Sequence, residues 1–231
     1  MTGNRSRPFW VLCVLFGAGV IAFVVWFGGV IPTRTCSGAL PAGVSALLVY
    51  QLARTPADIE AVFGPAGDPC RAAMIAAMDR ANTVDLAGFI GTYSAFLACF
   101  FLALLRAGAG GVARLGLAAV VAALAFDVLE TATQLHITAT LPGSAVALTL
   151  LAIGSRGKFL GLAVVCLCAG AAMIARGRSV ARLAGAACLA GGLLVVAGLA
   201  SAPLLPALSA GNAVAWLLIL LYAAAGARRT P

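Results

Sequence analysis

Asp127, Glu130, Thr131 and Gln134 stand at i, i+3, i+4 and i+7 inside the run 115–137, whose other residues are mostly alanine, valine and leucine. On an α-helix that spacing lines the four polar side chains along one face. The run is long enough to cross a bilayer, and insertion scales place a carboxylate at the centre of such a helix at about 2.5–3.5 kcal/mol. Two acids one turn apart in that setting mark a candidate site. Carboxyl groups sharing a poorly hydrated site are able to hold a proton between them and to act as general acid and base. His136, the single histidine of the chain, follows just beyond.

The elements that must position these residues are membrane spans. The chain has 231 residues, 63% of them hydrophobic and 10% charged, and a mean hydropathy of +1.08; together these exclude an ordinary soluble domain. Apolar stretches at 9–31, 85–105, 115–137, 159–175, 183–202 and 208–227 each approach the roughly 20 residues that a helix needs to cross about 30 Å of hydrocarbon. The expected fold is an all-α polytopic transmembrane helix bundle of about six spans, a single integral membrane domain with a small outer cap in the loop 32–84. The fourth span is short unless it begins near Ala145, which leaves a re-entrant or interfacial segment as the alternative there. The first run is longer than the roughly 7–15 apolar residues of a signal peptide, and no small-residue cleavage site stands clear of it before Pro32, so it reads as a span.

The formal charge of +8 does not point to nucleic acid, because the basic residues gather at span ends. With the N-terminus inside, Arg5, Arg7, Arg106, Arg114, Arg176, Arg178, Arg182, Arg228 and Arg229 all fall on cytoplasmic segments. Positive charge favours the inner side of a membrane, so both termini are expected in the cytoplasm of a bacterial-type inner membrane. The expected partners are membrane lipids and a hydrophobic small molecule, and no feature sets an oligomeric state.

Five of the seven cysteines lie inside spans, where they read as small packing residues. Cys36 and Cys70 are the two in the outer loop, where an oxidising exterior allows them to pair; two free thiols are the alternative. In the same loop Thr55, Pro56 and Asp58 read as an N-cap, a first-turn proline and a first-turn acid, predicting a helix over about 56–63. Gly64, Pro65, Gly67 and Pro69 break it. From Cys70 onward no breaker precedes Asp85, so a second loop helix is able to continue into the second span. Residues 44–52 are apolar but too short to cross, and read as an interfacial segment or as the packed floor of the cap.

The second span runs antiparallel to the third, and helical spacing places Asn82, Asp85, Gly88 and Thr92 on one face at its outer end, with Tyr93 beside them. Arg156 and Lys158 open the fourth span at the same side. Asp127, Glu130, Asp85 and Tyr93 are the candidate catalytic residues, and Gln134, His136, Lys158, Arg156 and Thr92 the candidate binding residues. Three readings remain open: buried ion pairs that fix helix register, acid–base chemistry on a membrane-soluble substrate, and a proton or cation pathway. A metal centre is not expected, since a histidine–carboxylate triad needs a second histidine. No cofactor is expected either, since the chain carries no phosphate-cradling glycine loop, nucleophile elbow or dinucleotide fingerprint.

The order of these motifs resembles a group of small bacterial integral membrane proteins. Its members share a loop helix like 52–60, a span opening with an acid and carrying a tyrosine, here Asp85 and Tyr93, a later span with an acid followed three residues on by Glu-Asn, and a next span beginning near a lysine, here Lys158. This chain has Thr131 in place of the asparagine after Glu130. The resemblance covers roughly 52–159 and implies that Asp85, Asp127, Glu130 and Lys158 form one site.

Overall fold

The computed structural model describes residues 3–228; Arg229 and the side chain of Arg5, both counted above among the orienting basic residues, lie outside what it describes. Among the described residues the fold is all-α apart from one pair of two-residue strands. Among the described residues, six helices are long and apolar enough to cross a membrane: Ser6–Val30, Arg71–Arg106, Gly110–Ala139, Ala145–Arg176, Ser179–Ala200 and Ala202–Arg228. Helices are the local solution because hydrocarbon offers no partner to a backbone N–H or C=O, so each bond must close within the segment.

In chain order the elements are α1 (Gly3–Val30), β1 (Arg34–Thr35), β2 (Gly38–Ala39), α2 (Ala46–Gln51), α3 (Pro56–Phe63), α4 (Arg71–Val84), α5 (Ile90–Arg106), α6 (Gly110–Ala139), α7 (Ala145–Arg176), α8 (Ser179–Ala200) and α9 (Leu205–Arg228). As expected, the loop helix after Cys70 continues into the second span: α4 passes into α5 through a wide π-turn over Asp85–Phe89, in which the Ile90 N–H bonds to the Asp85 carbonyl. The fourth begins at Ala145 rather than 159 and runs unbroken for 32 residues, so nothing re-entrant is required. Gly154 and Gly157, which sequence alone makes weak helix formers, are retained there by packing.

Contacts gather the chain into two compact units, Met1–Ile21 with Thr92–Leu124 and Phe159–Pro231, and Ala22–Gly91 with Ala125–Lys158. The first unit is knitted by aromatic and small residues. Trp10 meets Phe100 and Tyr222 edge-on at 5.7 and 5.8 Å, and α8 approaches α9 so closely that a Cβ at Gly191 would lie 2.6 Å from the Gly211 carbonyl oxygen. Close approach of this kind is how helices associate where lipid supplies no hydrophobic drive.

The second unit contains the cap. β1 and β2 form an antiparallel pair, and Cys36 and Cys70 are joined in a disulfide. α3 occupies Pro56–Phe63 and opens with a capping box: the Thr55 hydroxyl accepts from the Asp58 N–H while the Asp58 carboxylate accepts from the Thr55 N–H. Residues 44–52 form a packed floor of the cap. Ala46 and Tyr50 of α2 join Val62, Phe63 and Met78 in a buried cluster that also takes Ile137 of α6 and Leu151 of α7. The cap therefore shares one core with the helices that carry Glu130 and Lys158.

Candidate functional site

The stripe on α6 is fully inside the second unit: Asp127 is 3% exposed, and Glu130, Thr131 and Gln134 are 0%. Facing it, the Lys158 ammonium of α7 lies 2.7 Å from Glu130 Oε1 and 3.2 Å from Asp127 Oδ1. Gly154, one turn before Lys158, makes this approach possible. A Cβ at that position would stand 2.9 Å from the Glu130 N and Cα, so only a bare backbone lets α7 close onto α6 here. Gly157 similarly receives the ring of Phe126.

Asp85 joins from the π-turn, where its Oδ2 accepts a hydrogen bond of 2.9 Å from the Thr131 hydroxyl. The charges acting on Glu130 are those of Lys158, Asp127 and Asp85. Three carboxylates thus share one ammonium, an excess of two negative charges when all are ionised, and none of the four side chains is more than 8% exposed. Chemically the arrangement is a set of proton acceptors in a dry setting, with a fixed cation that holds two of them in place.

Outward of this cluster α4 and α6 face each other in antiparallel register. The Thr138 hydroxyl donates to Asp79 Oδ1 at 2.6 Å, and the Thr131–Asp85 bond forms the matching contact two turns deeper. Asn82 and Gln134 occupy the intermediate level, three residues from Asp79 and Asp85 on one helix and four and three residues from Thr138 and Thr131 on the other. They are 1% and 0% exposed. Both amide nitrogens and both amide oxygens lack a hydrogen-bond partner among the described residues, as does Glu130 Oε2. The Gln134 main chain is held from the cap, where the Tyr50 hydroxyl donates to its carbonyl oxygen at 2.6 Å. Burial, with the Asp79 carboxylate second, pushes the Tyr50 phenol up and keeps it a donor. Ser155 of α7 donates to the Gln51 carbonyl, a second tie between cap and span.

Two of the residues singled out by sequence, His136 and Arg156, stand apart from this group. His136 is exposed and lines a groove of about 260 Å³ with Thr133 and Ser144. Two residues past Gln134, it is rotated by about 200° from the stripe. Arg156 precedes Lys158 by the same interval; it donates to the Ala152 carbonyl at 3.2 Å and lines a groove of about 720 Å³ with Arg54, Thr55 and Pro56. Tyr93 and Thr92 belong to the first unit, where Tyr93 packs against Trp216 at 5.3 Å between ring centroids. The helical spacing assumed from Asn82 to Thr92 is interrupted by the π-turn after Asp85, which inserts an extra residue into one turn. Gly88 accommodates this by admitting the Phe23 ring, which a Cβ would meet at 2.8 Å.

Asp79, Thr138, Tyr50 and Ser155 were not singled out by sequence. An antiparallel pairing of the second and third spans in register would have found the first two, since 79 with 138, 82 with 134 and 85 with 131 keep a nearly constant sum. Cys36, Asp68 and Cys70 have the mutual spacing of a metal site, but both sulfurs are consumed by the disulfide, so they hold no ion. No protein-family model, curated protein or solved structure matches the chain.

Proposed function

We propose that this multi-pass membrane protein handles protons, and that Asp85, Asp127 and Glu130 hold at least one exchangeable proton beside Lys158. The observation that carries this reading is the ratio of three buried carboxylates to one ammonium. An uncompensated carboxylate in hydrocarbon costs more than binding a proton does, so the cluster takes up a proton or a cation to fold. All four side chains are shielded, so the species that reaches them in this state is small. That favours proton-coupled movement of a solute over direct chemistry on a lipid-like molecule. In this reading Glu130 and Asp127 exchange the proton, Lys158 sets its affinity, and Asp85 with Thr131 stands at the entrance. Residues 32–84 face the outside of a bacterial-type cytoplasmic membrane, as the distribution of arginines supports. The motif-order resemblance groups the same four charged residues.

The test is reconstitution into liposomes with a pH-sensitive dye inside, together with infrared difference spectra of the protonated carboxyl stretch. Proton flux and a buried carboxylic-acid band are expected from the parent, and Glu130→Gln should abolish the flux and weaken the band. A second reading rests on the direct Lys158 pairs: the charges serve as a staple between α6 and α7. That reading holds, and the first fails, if the parent shows neither band nor flux while Asp127→Asn and Glu130→Gln lower only stability.

A further inference from the structure

We infer that Asn82 and Gln134 form a buried water-binding site that links Asp79 at the end of the helix pair to the carboxylate cluster, so that protons enter between α4 and α6. The inference rests on the proton-handling reading and adds the route and its occupant. Three levels of polar side chains face each other along this helix pair. The outermost is closed by the Thr138–Asp79 bond, and the innermost by the Thr131–Asp85 bond. Each is a hydroxyl against a carboxylate, groups that donate and accept and so pass a proton along.

The middle level is unlike its neighbours. Asn82 and Gln134 are buried amides whose two nitrogens and two oxygens are all without a protein partner among the described residues. Buried polar groups are almost always bonded, to water where protein supplies nothing. Two donors and two acceptors at one level match what a water molecule, itself donor and acceptor, requires. An amide is also a poor proton carrier but a good water holder, so the pair is suited to seating water between two exchangeable levels. Asp79 is only partly buried, which gives the series an end in contact with the exterior of the unit. Beyond Asp85 the unsatisfied Glu130 Oε2 continues it into the cluster.

The apolar near-isostere closes this site. In deuterated buffer, the carboxylic-acid band of the reconstituted full chain shifts as its proton exchanges, and the rate of that shift reads the route. Asn82→Leu and Gln134→Leu are expected to slow the shift and the liposome proton flux at least tenfold, while the band itself remains at equilibrium. Thr133→Leu, on α6 but off the polar face, should exchange at the parental rate. Where a leucine variant does not fold, Gln134→Met carries the same test. Parental exchange in the Asn82 and Gln134 variants overturns the route and leaves the proton-handling reading standing. Absence of the band in the parent overturns that reading instead, so the two failures are distinct. Equal slowing by Thr133→Leu also overturns the route, since any added bulk would then suffice.

Discussion

Replacing Lys158 by methionine removes the single ammonium of the cluster with little change in side-chain length. At 2.7 and 3.2 Å the attractions to Glu130 and Asp127 amount to roughly 6 and 5 kcal/mol at an effective dielectric constant of 20. Desolvation of the ammonium and repulsion among the acids offset much of that. The net loss on breaking a buried pair is about 3–5 kcal/mol, because the remaining partner is left charged and unpaired. The same substitution at an exposed pair would cost about 0–1 kcal/mol. Unfolding of the purified protein in mild detergent, followed by helicity or by a steric trap, separates these outcomes. Lys158→Met alone should lose about 3–5 kcal/mol, and combining it with Asp127→Asn and Glu130→Gln should restore most of the loss, because the two carboxylates that the lysine paired are then neutral. A loss below about 1 kcal/mol in the single variant, or no recovery in the triple, would refute the claim that these charges meet in a low-dielectric site.

Gly154→Val should destabilise by about 1–3 kcal/mol through overpacking and should also reduce proton flux, since the added carbons meet the Glu130 backbone and separate it from Lys158; thermal unfolding and the liposome assay check the two parts. Cys36→Ser should alter mobility on a non-reducing gel and weaken the cap by about 4 kcal/mol in the chain-entropy model, given the separation of 34 residues. Partial burial of Asp58 acts to raise its carboxyl, but donations from the Arg54 and Thr55 N–H groups and the Thr55 hydroxyl outweigh it and hold the group below its ordinary 3.8. A depressed folded-state value means that this contribution is present above pH 3.8 and fades as pH falls through the lowered value. Asp58→Asn should therefore separate from the parent in unfolding at neutral pH and converge with it in strong acid.

Much of the fold was legible because the bilayer imposes it. A run of about 20 apolar residues has few alternatives to a helix, and the arginines at its ends carry the orientation argument. The helices extend beyond the apolar stretches that open at 85 and 159 for one reason: hydropathy finds the apolar stretch, whereas backbone hydrogen bonding continues through polar residues such as Asn82 and Lys158 when other helices cover them. α3 was legible to the residue, since a proline, a capping threonine and a first-turn acid act locally.

The site divides along the same line. Sequence by itself determined which residues share a face of α6, because helical periodicity needs no partner, and it marked Lys158 as a candidate binding residue at the same side. Only the tertiary structure decided that Gly154 lets that lysine reach Glu130 and that a π-turn places Asp85 against Thr131. It also decided that Asn82 and Gln134 are buried without side-chain hydrogen-bond partners among the described residues. Those outcomes depend on how closely two backbones approach and how one helix is rotated against another, and packing between segments distant in sequence sets both.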